Sequence, residues 1–414
     1  MLSSGCSNML KNDYYPPQVN YPANWSADKS AGTITPFSWR DFHDPQLDKL
    51  LRQVTVNNND FAAAVLRVYH ARLEAKRAGI NTMPRLNAAL NSGKGKMLAH
   101  SYPWSESSTA KLSTSYEIDL WGKLALQRDS AQWASQATEA DLQAARATLL
   151  SDASNNYWRI AFINQQIDAL QHSLSYARET LRLARAHYRA GKTSSLDVVD
   201  AEQNLQTQKG RLVVLQHDRL QALNEQSLLL GAPPGSPVTE LSRLPDIPLP
   251  QIKADIPASV LRQRPDINAK EWHLRQALAD VDLSRTGYYP TLSLTGSLGT
   301  TSSMLLAFLQ NPVSSVGMNL SLPFLEWRQM DMDIRIARND YEQRVLEFKQ
   351  ALYKAMTGAW ILAGNIRHFG YSWEAVGAYN AGYANTPVKK TLRQKYIKKV
   401  VPHYQKLKNI NAKG

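Results

Sequence analysis

The chain carries one thiol, Cys6, and its neighbours decide what that thiol can do. With no second cysteine it cannot close an internal disulfide or join a Cys-rich zinc site. What remains is acylation of the sulfur, or an ordinary reduced cysteine near the start of the chain. Leu2-Ser3-Ser4-Gly5 precede it, small residues with a leucine nearby, and a polar stretch containing Pro and Asn follows to about Trp25. Each methylene of an acyl chain contributes about 0.8 kcal/mol when buried in lipid, so acylation anchors a protein without a spanning helix. No catalytic residue, metal site or cofactor is expected elsewhere.

Charge is the second chemical feature. The formal net charge is +13, from 48 Lys and Arg against 35 Asp and Glu. Residues 357–414 hold ten of those basic residues and one acidic residue, Glu374, so the chain before them is nearly balanced. The tail lacks a recognisable nucleic-acid reading motif and is short, so no nucleic-acid partner is expected. A solvated positive face, or weak attraction to an anionic cell-wall polymer, accounts for it.

The elements that position these groups follow from 414 residues of which 43% are hydrophobic, at a mean hydropathy of −0.40. No apolar run approaches the roughly 18 residues of a spanning helix, which excludes a helical membrane protein but not a β-barrel. An internal repeat organises the chain. Asp60, Ala63, Ala71, Pro84, Leu86 and Gly93 match, without a gap, Asp266, Ala269, Ala277, Pro290, Leu292 and Gly299. Each copy reads as an amphipathic helix, about Asp60–Ala78 and Asp266–Arg285, then a proline stop, then an alternating strand.

Four strands are expected, over 85–94, 110–120, 291–298 and 316–324. Ala110, Leu112, Tyr116, Ile118 and Leu120 point one way, against Lys111, Ser113, Ser115, Glu117 and Asp119. Leu292, Leu294 and Leu298 likewise share a face, as do Val316, Met318, Leu320, Leu322 and Phe324, and Leu86, Ala88 and Leu90. In a soluble sandwich that apolar face is the core; in an outer-membrane barrel it meets lipid. Pattern alone favours the sandwich, and strand number reverses the choice. Four strands cannot close a barrel, which needs about eight, and four separated strands leave a sandwich with poor edges. Three chains giving four strands each would close twelve, as a homotrimer.

Between the second and third strands no proline occurs from Lys123 to Ala190, and no glycine between Gly122 and Gly191. A helix over that span is on the order of 100 Å long. Its later half repeats apolar residues at 3-4 spacing through Ile160, Ile163, Ile167, Leu170, Leu174, Ala177, Leu181, Ala184 and Tyr188, a coiled-coil seam. Gly191 breaks this helix, Ser194 or Ser195 can cap the next, and Gly231-Ala232-Pro233-Pro234 ends that one. A soluble rod with a small β cap would explain the seam, but not the duplicated helix–proline–strand units.

Several stretches carry a family resemblance. They are Tyr116-Glu117-Ile118-Asp119-Leu120-Trp121-Gly122-Lys123, Tyr188 through Ala201, Leu230-Gly231-Ala232-Pro233, Leu261 through Ile267, and Tyr289-Pro290-Thr291-Leu292-Ser293-Leu294. On them, residues 1–356 resemble the outer-membrane efflux channel family of TolC-like ducts, especially the lipidated members serving resistance-nodulation-division pumps. Leu2–Cys6 in turn resembles a bacterial lipoprotein processing site. It departs in that Leu2 lies one place too far from Cys6, with no charged or apolar leader before it. The resemblance implies an α+β fold: a long antiparallel helical hairpin of α-barrel type, plus four strands contributing to a trimeric twelve-strand membrane barrel. It also implies palmitate at Cys6, a cell outer membrane location reaching into the periplasm, and export of drugs, metals or other small solutes. A periplasmic adaptor and an inner-membrane pump would be the partners, and the adaptor would meet the helix turn at Arg189, Gly191, Ser194, Ser195, Leu196 and Asp197. Simple capping by Gly191 and Ser194 explains the same turn, and both can hold together.

Three segments result: an N-terminal linker over 1–40, the channel region over 41–356, and a basic tail over 357–414. Within the channel region, repeat one runs about 41–231 and repeat two about 257–356, where it stops before its own hairpin. The tail resembles the C-terminal end of a small lytic transglycosylase, through Gly358–Ala363, Tyr371–Gly382 and the basic stretch around Tyr396. That resemblance places Tyr379 and Asn380 at a sugar groove. It also places the family's catalytic glutamate far upstream, in a segment this chain lacks, and Glu374 does not take its place. A helix end closed by Gly382 explains the same residues. The expectation is a non-enzymatic efflux duct impaired by the lost hairpin; the alternatives are a cell-wall lyase fusion or an inert product of gene rearrangement.

Overall fold

The computed structural model describes residues 11–19, 38–96, 104–245, 258–302 and 312–369. In chain order the elements are α1 (Pro45–Asn57), α2 (Asn59–Ile80), β1 (Arg85–Gly95), β2 (Ser105–Ile118), α3 (Lys123–Arg189) and α4 (Ser195–Leu229). Then come α5 (Pro265–Thr286), β3 (Thr291–Ser302), β4 (Pro312–Ser321) and α6 (Trp327–Phe369). α2 and α5 are both 22 residues long, and α2–β1 and α5–β3 begin at positions 206 apart.

The chain forms two compact units. One comprises Tyr21–Ala64, Ala144–Leu261 and Lys354–Gly414. Its core gathers on α1, which the sequence reading did not anticipate. Asp44 caps α1 by accepting from the Gln46 and Leu47 amides at 2.9 and 3.1 Å, and Pro45 opens the first turn. Leu47, Leu50, Leu51 and Val54 then fall on one helical face and are buried with Ala153 and Tyr157. Each such leucine is worth about 1.5–3 kcal/mol of burial. Phe42 and Trp158 close the cluster with ring centres 4.7 Å apart, and the Tyr157 hydroxyl donates to Asp44 at 3.2 Å.

Along the hairpin of α3 and α4 the expected seam is packed. Leu174, Ala177 and Leu181 are buried with Leu205, against Val198, Ala201 and Leu212. Ile160 and Ile163 are buried with Ala222, beside Ile167 and Leu223. Tyr188, at the end of the seam, is half exposed because the helix ends one residue later.

The other unit comprises Met1–Asn20, Val65–Gln143 and Arg262–Tyr353. Among the described residues it holds one antiparallel sheet in the order β1-β2-β3-β4. Several boundaries differ from expectation, and β3 runs on to Ser302 rather than stopping at 298. β2 starts earlier, at Ser105, and stops at Ile118, where the Leu120 amide turns back to the Ile118 carbonyl. β4 covers Pro312–Ser321 rather than 316–324, because Pro323 has no amide to donate and opens a short 3-10 turn over Pro323–Glu326. The last helix does not stop near Met356 but runs to Phe369.

Candidate functional site

Register gives the sheet two unlike faces. On one, Leu112 pairs with Ala88 and Leu298, Tyr116 with Leu294, and Ile118 with Leu292, while Leu292 and Leu294 continue to Leu320 and Met318. On the other, Ser113 pairs with Asn87 and Ser297, Glu117 with Ser293, and Ser293 with Asn319. The polar face satisfies part of its own bonding: Ser297 and Ser315 hydroxyls lie 2.8 Å apart, and Thr295 donates to the Gly317 carbonyl at 3.2 Å.

Among the described residues, this apolar face stands largely open to solvent. Val316 is 91% exposed, Leu86 77% and Met318 69%. The two edges, β1 and β4, are likewise unpaired within the sheet. A soluble sheet buries such a face and blunts such edges; among the described residues nothing does either. Among the described residues, no helix is long and apolar enough to cross a membrane.

The passage from β2 into α3 is locked. Asp119 accepts from the Leu124 and Ala125 amides at 3.0 and 2.9 Å, satisfying two donors at the helix start. Gly122, at φ 74°, turns the chain from strand to helix through a region that side-chain-bearing residues avoid. Trp121 donates its indole N–H to the Pro290 carbonyl at 2.8 Å, and its ring lies 5.0 Å from that of Tyr289. The start of β3 is thereby tied to the end of β2.

The helix turn brings its six named residues together and leaves them in solvent. Arg189, Gly191, Ser194, Ser195, Leu196 and Asp197 are all exposed. Gly191, at φ 70°, lets its own amide reach the Tyr188 carbonyl at 2.9 Å and the Lys192 amide reach His187 at 3.0 Å, closing the end of α3. Asp197 accepts from the Ser194 amide at 3.2 Å, half of a capping box for α4. Arg189 turns back to the Arg185 carbonyl at 3.3 Å. Leu196 and Val199 present apolar surface to water, 64% and 57% exposed. Capping is therefore real, and an apolar tip remains after it. Cys6, Tyr379 and Asn380 lie outside the described residues.

Sequence reasoning missed the carboxylates of α5. Asp282 is almost fully buried, and burial pushes its carboxyl above the ordinary range, partly offset by hydrogen bonds from Asn12. Asp280 is raised for the same reason, against a hydrogen bond from the Ser130 hydroxyl at 2.8 Å. Neither stands in a motif; only the fold supplies their surroundings.

The sequence profile of the outer membrane efflux protein family matches residues 50–232 and 256–358. The pyoverdine export outer membrane protein OpmQ of Pseudomonas aeruginosa is 29% identical, over 81% of this chain and 73% of its own. Toxin and drug export protein A of Aggregatibacter actinomycetemcomitans is 26% identical, over 85% of this chain and 77% of its own. The crystal structure of the Campylobacter jejuni CmeC outer membrane channel superposes with a TM-score of 0.73, at 20% identity, over 94% of this chain and 89% of that one. That last likeness is one of fold.

Proposed function

The chain belongs to the outer membrane efflux protein family, and from that premise we propose that it is one subunit of an outer-membrane efflux duct. Three copies contribute four strands each to a twelve-strand barrel, with the repeated helix–strand units as a duplication that sets the strands in place. One observation carries this reading: the sheet exposes a continuous apolar face and two open edges. Lipid covers such a face at no cost, and neighbouring copies pair such edges. The Ser, Thr and Asn face then lines a wet lumen, which spares a polar solute the cost of crossing hydrocarbon.

The reaction is passage, so no residue need act as a catalyst. Direction comes from an inner-membrane pump, joined through a periplasmic adaptor that meets the turn from Arg189 to Asp197. The relatives' names, one a toxin and drug export protein and one a pyoverdine export outer membrane protein, support export of solutes. Acylation of Cys6 adds an anchor beside the barrel, and residues 357–414 retain at most a vestigial glycan groove at Tyr379 and Asn380.

Detergent extraction of the outer membrane tests the core of this reading. Complexes of three chains that conduct ions in a planar bilayer, and that restore drug resistance to a channel-deleted strain, are expected. A detergent-free monomer that ignores bilayers overturns it. Purified cell wall incubated with the protein should release no anhydro-muropeptides.

A further inference from the structure

A cavity of about 680 Å³ opens between α2, α3 and α5, and two indoles, Trp133 and Trp272, line it. Cavities of this size hold small organic ligands. Helical spacing builds the α2 wall: Arg72, Ala75 and Lys76 stand at i, i+3 and i+4 and so share a face. Ala75 sets a single methyl between two long cationic side chains, which leaves the space open. From α3, Glu139 pairs with Arg72 at 2.7 Å.

The charges around this cavity do not cancel. Lys11 pairs with Asp129 at 3.2 Å, Arg72 with Glu139 at 2.7 Å and Arg275 with Glu271 at 3.2 Å. Lys76 has no carboxylate partner among the described residues, which leaves a positive charge unmatched on the wall. Both indoles, moreover, already carry a cation. The Lys11 ammonium lies 5.5 Å from the Trp133 ring centre, and the Arg275 guanidinium 4.7 Å from that of Trp272. A cationic guest would meet repulsion from three sides. A flat ring gains by stacking on an indole, and a negative group on that ring gains again from Lys76.

We propose that this cavity is a binding site for flat aromatic carboxylates, with the rings against Trp133 and Trp272 and the carboxylate on Lys76. Arg72, held by Glu139, forms the wall beside it. All of these residues belong to one compact unit of one chain. The site therefore goes beyond the duct reading and stands independently of it.

Full-length protein in micelles of an uncharged detergent is dialysed against naphthoate, and uptake is counted above that of the micelles alone. Saturable uptake that weakens with added salt is expected. Naphthylmethylammonium keeps the rings and reverses the charge, while decanoate keeps the charge and loses the rings. Each should bind about fivefold more weakly, or worse. Lys76 is exposed, so its variants keep the fold. Lys76→Gln should weaken naphthoate about fivefold, and Lys76→Glu should reverse the order of the two naphthyl probes, which loss of a merely structural lysine would not do. Ala75→Leu fills the space without touching a charge and should abolish uptake. Absence of saturable uptake, equal uptake of the two naphthyl probes, or a wild-type preference kept by Lys76→Glu overturns the site. Decanoate bound as tightly as naphthoate overturns the part given to the indoles. Conductance of the same protein in a planar bilayer reports on the duct separately: its loss leaves naphthoate uptake in place.

Discussion

The α1 cluster and the four-strand sheet use the same kinds of side chain to opposite ends. Around α1, four leucine and valine positions at helical spacing meet Tyr157 and Ala153 and vanish from solvent. In the sheet, leucine, valine and methionine alternate just as regularly and stay exposed. One region brings its own partners; the other, on the reading proposed above, is finished by lipid and by neighbouring copies. Regular patterning thus says that a face exists, and packing says what medium it was made for.

Breaking the comparison at the α1 cluster should give the largest effect. Leu50→Ala leaves a cavity in a closed core and should cost about 2–5 kcal/mol, read as a lower thermal midpoint of the helical signal. At the sheet, Leu294→Lys puts a charge on the apolar face, where it costs about 2–4 kcal/mol in lipid. Trimer yield in the outer membrane should fall, whereas Ser297→Lys on the polar face should assemble normally. A protein that tolerates both lysines equally has no lipid-facing side. Asp44→Ala removes the α1 cap and the Tyr157 bond, a loss of about 1–2 kcal/mol, again seen by thermal unfolding.

The smallest change sharpens the contrast by pH. Burial raises the Asp280 carboxyl above its ordinary 3.8, so the folded state binds a proton more readily than the unfolded chain. Its charge therefore costs stability at neutral pH, and that cost disappears as pH falls through the raised value. Asp280→Asn should be slightly more stable than wild type at pH 7, with the two converging in acid. Thermal midpoints measured across pH would show it; a gap that widens in acid has the wrong sign.

Long-range order in the chain was legible where one residue type rules a whole stretch. α3 runs Lys123–Arg189 because no proline or glycine interrupts it, and the strands follow from strict alternation. Local interruptions were harder to weigh. Leu322 and Phe324 continue the β4 alternation, yet Pro323 between them removes a donor and ends the strand. α1 was present as Asp44-Pro45 followed by Leu47, Leu50, Leu51 and Val54, a cap and a face in thirteen residues, short enough to escape a search for long periods. In the helix turn, Gly191 and Asp197 could be read from type and spacing. The hold of Asp282 on Asn12 could not, since it joins residues 270 positions apart with no repeat or motif to mark them.

The open flanks of β1 and β4 carry a further consequence for the life of a newly made chain. Until companions arrive, each flank offers backbone donors and acceptors to any stray extended peptide nearby. Delay, more than weak final bonding, is then the danger for a solitary copy. In the trimer proposed above, rings would fill roughly as the cube of the local supply, so modest shortages of material should empty the envelope of finished assemblies out of proportion.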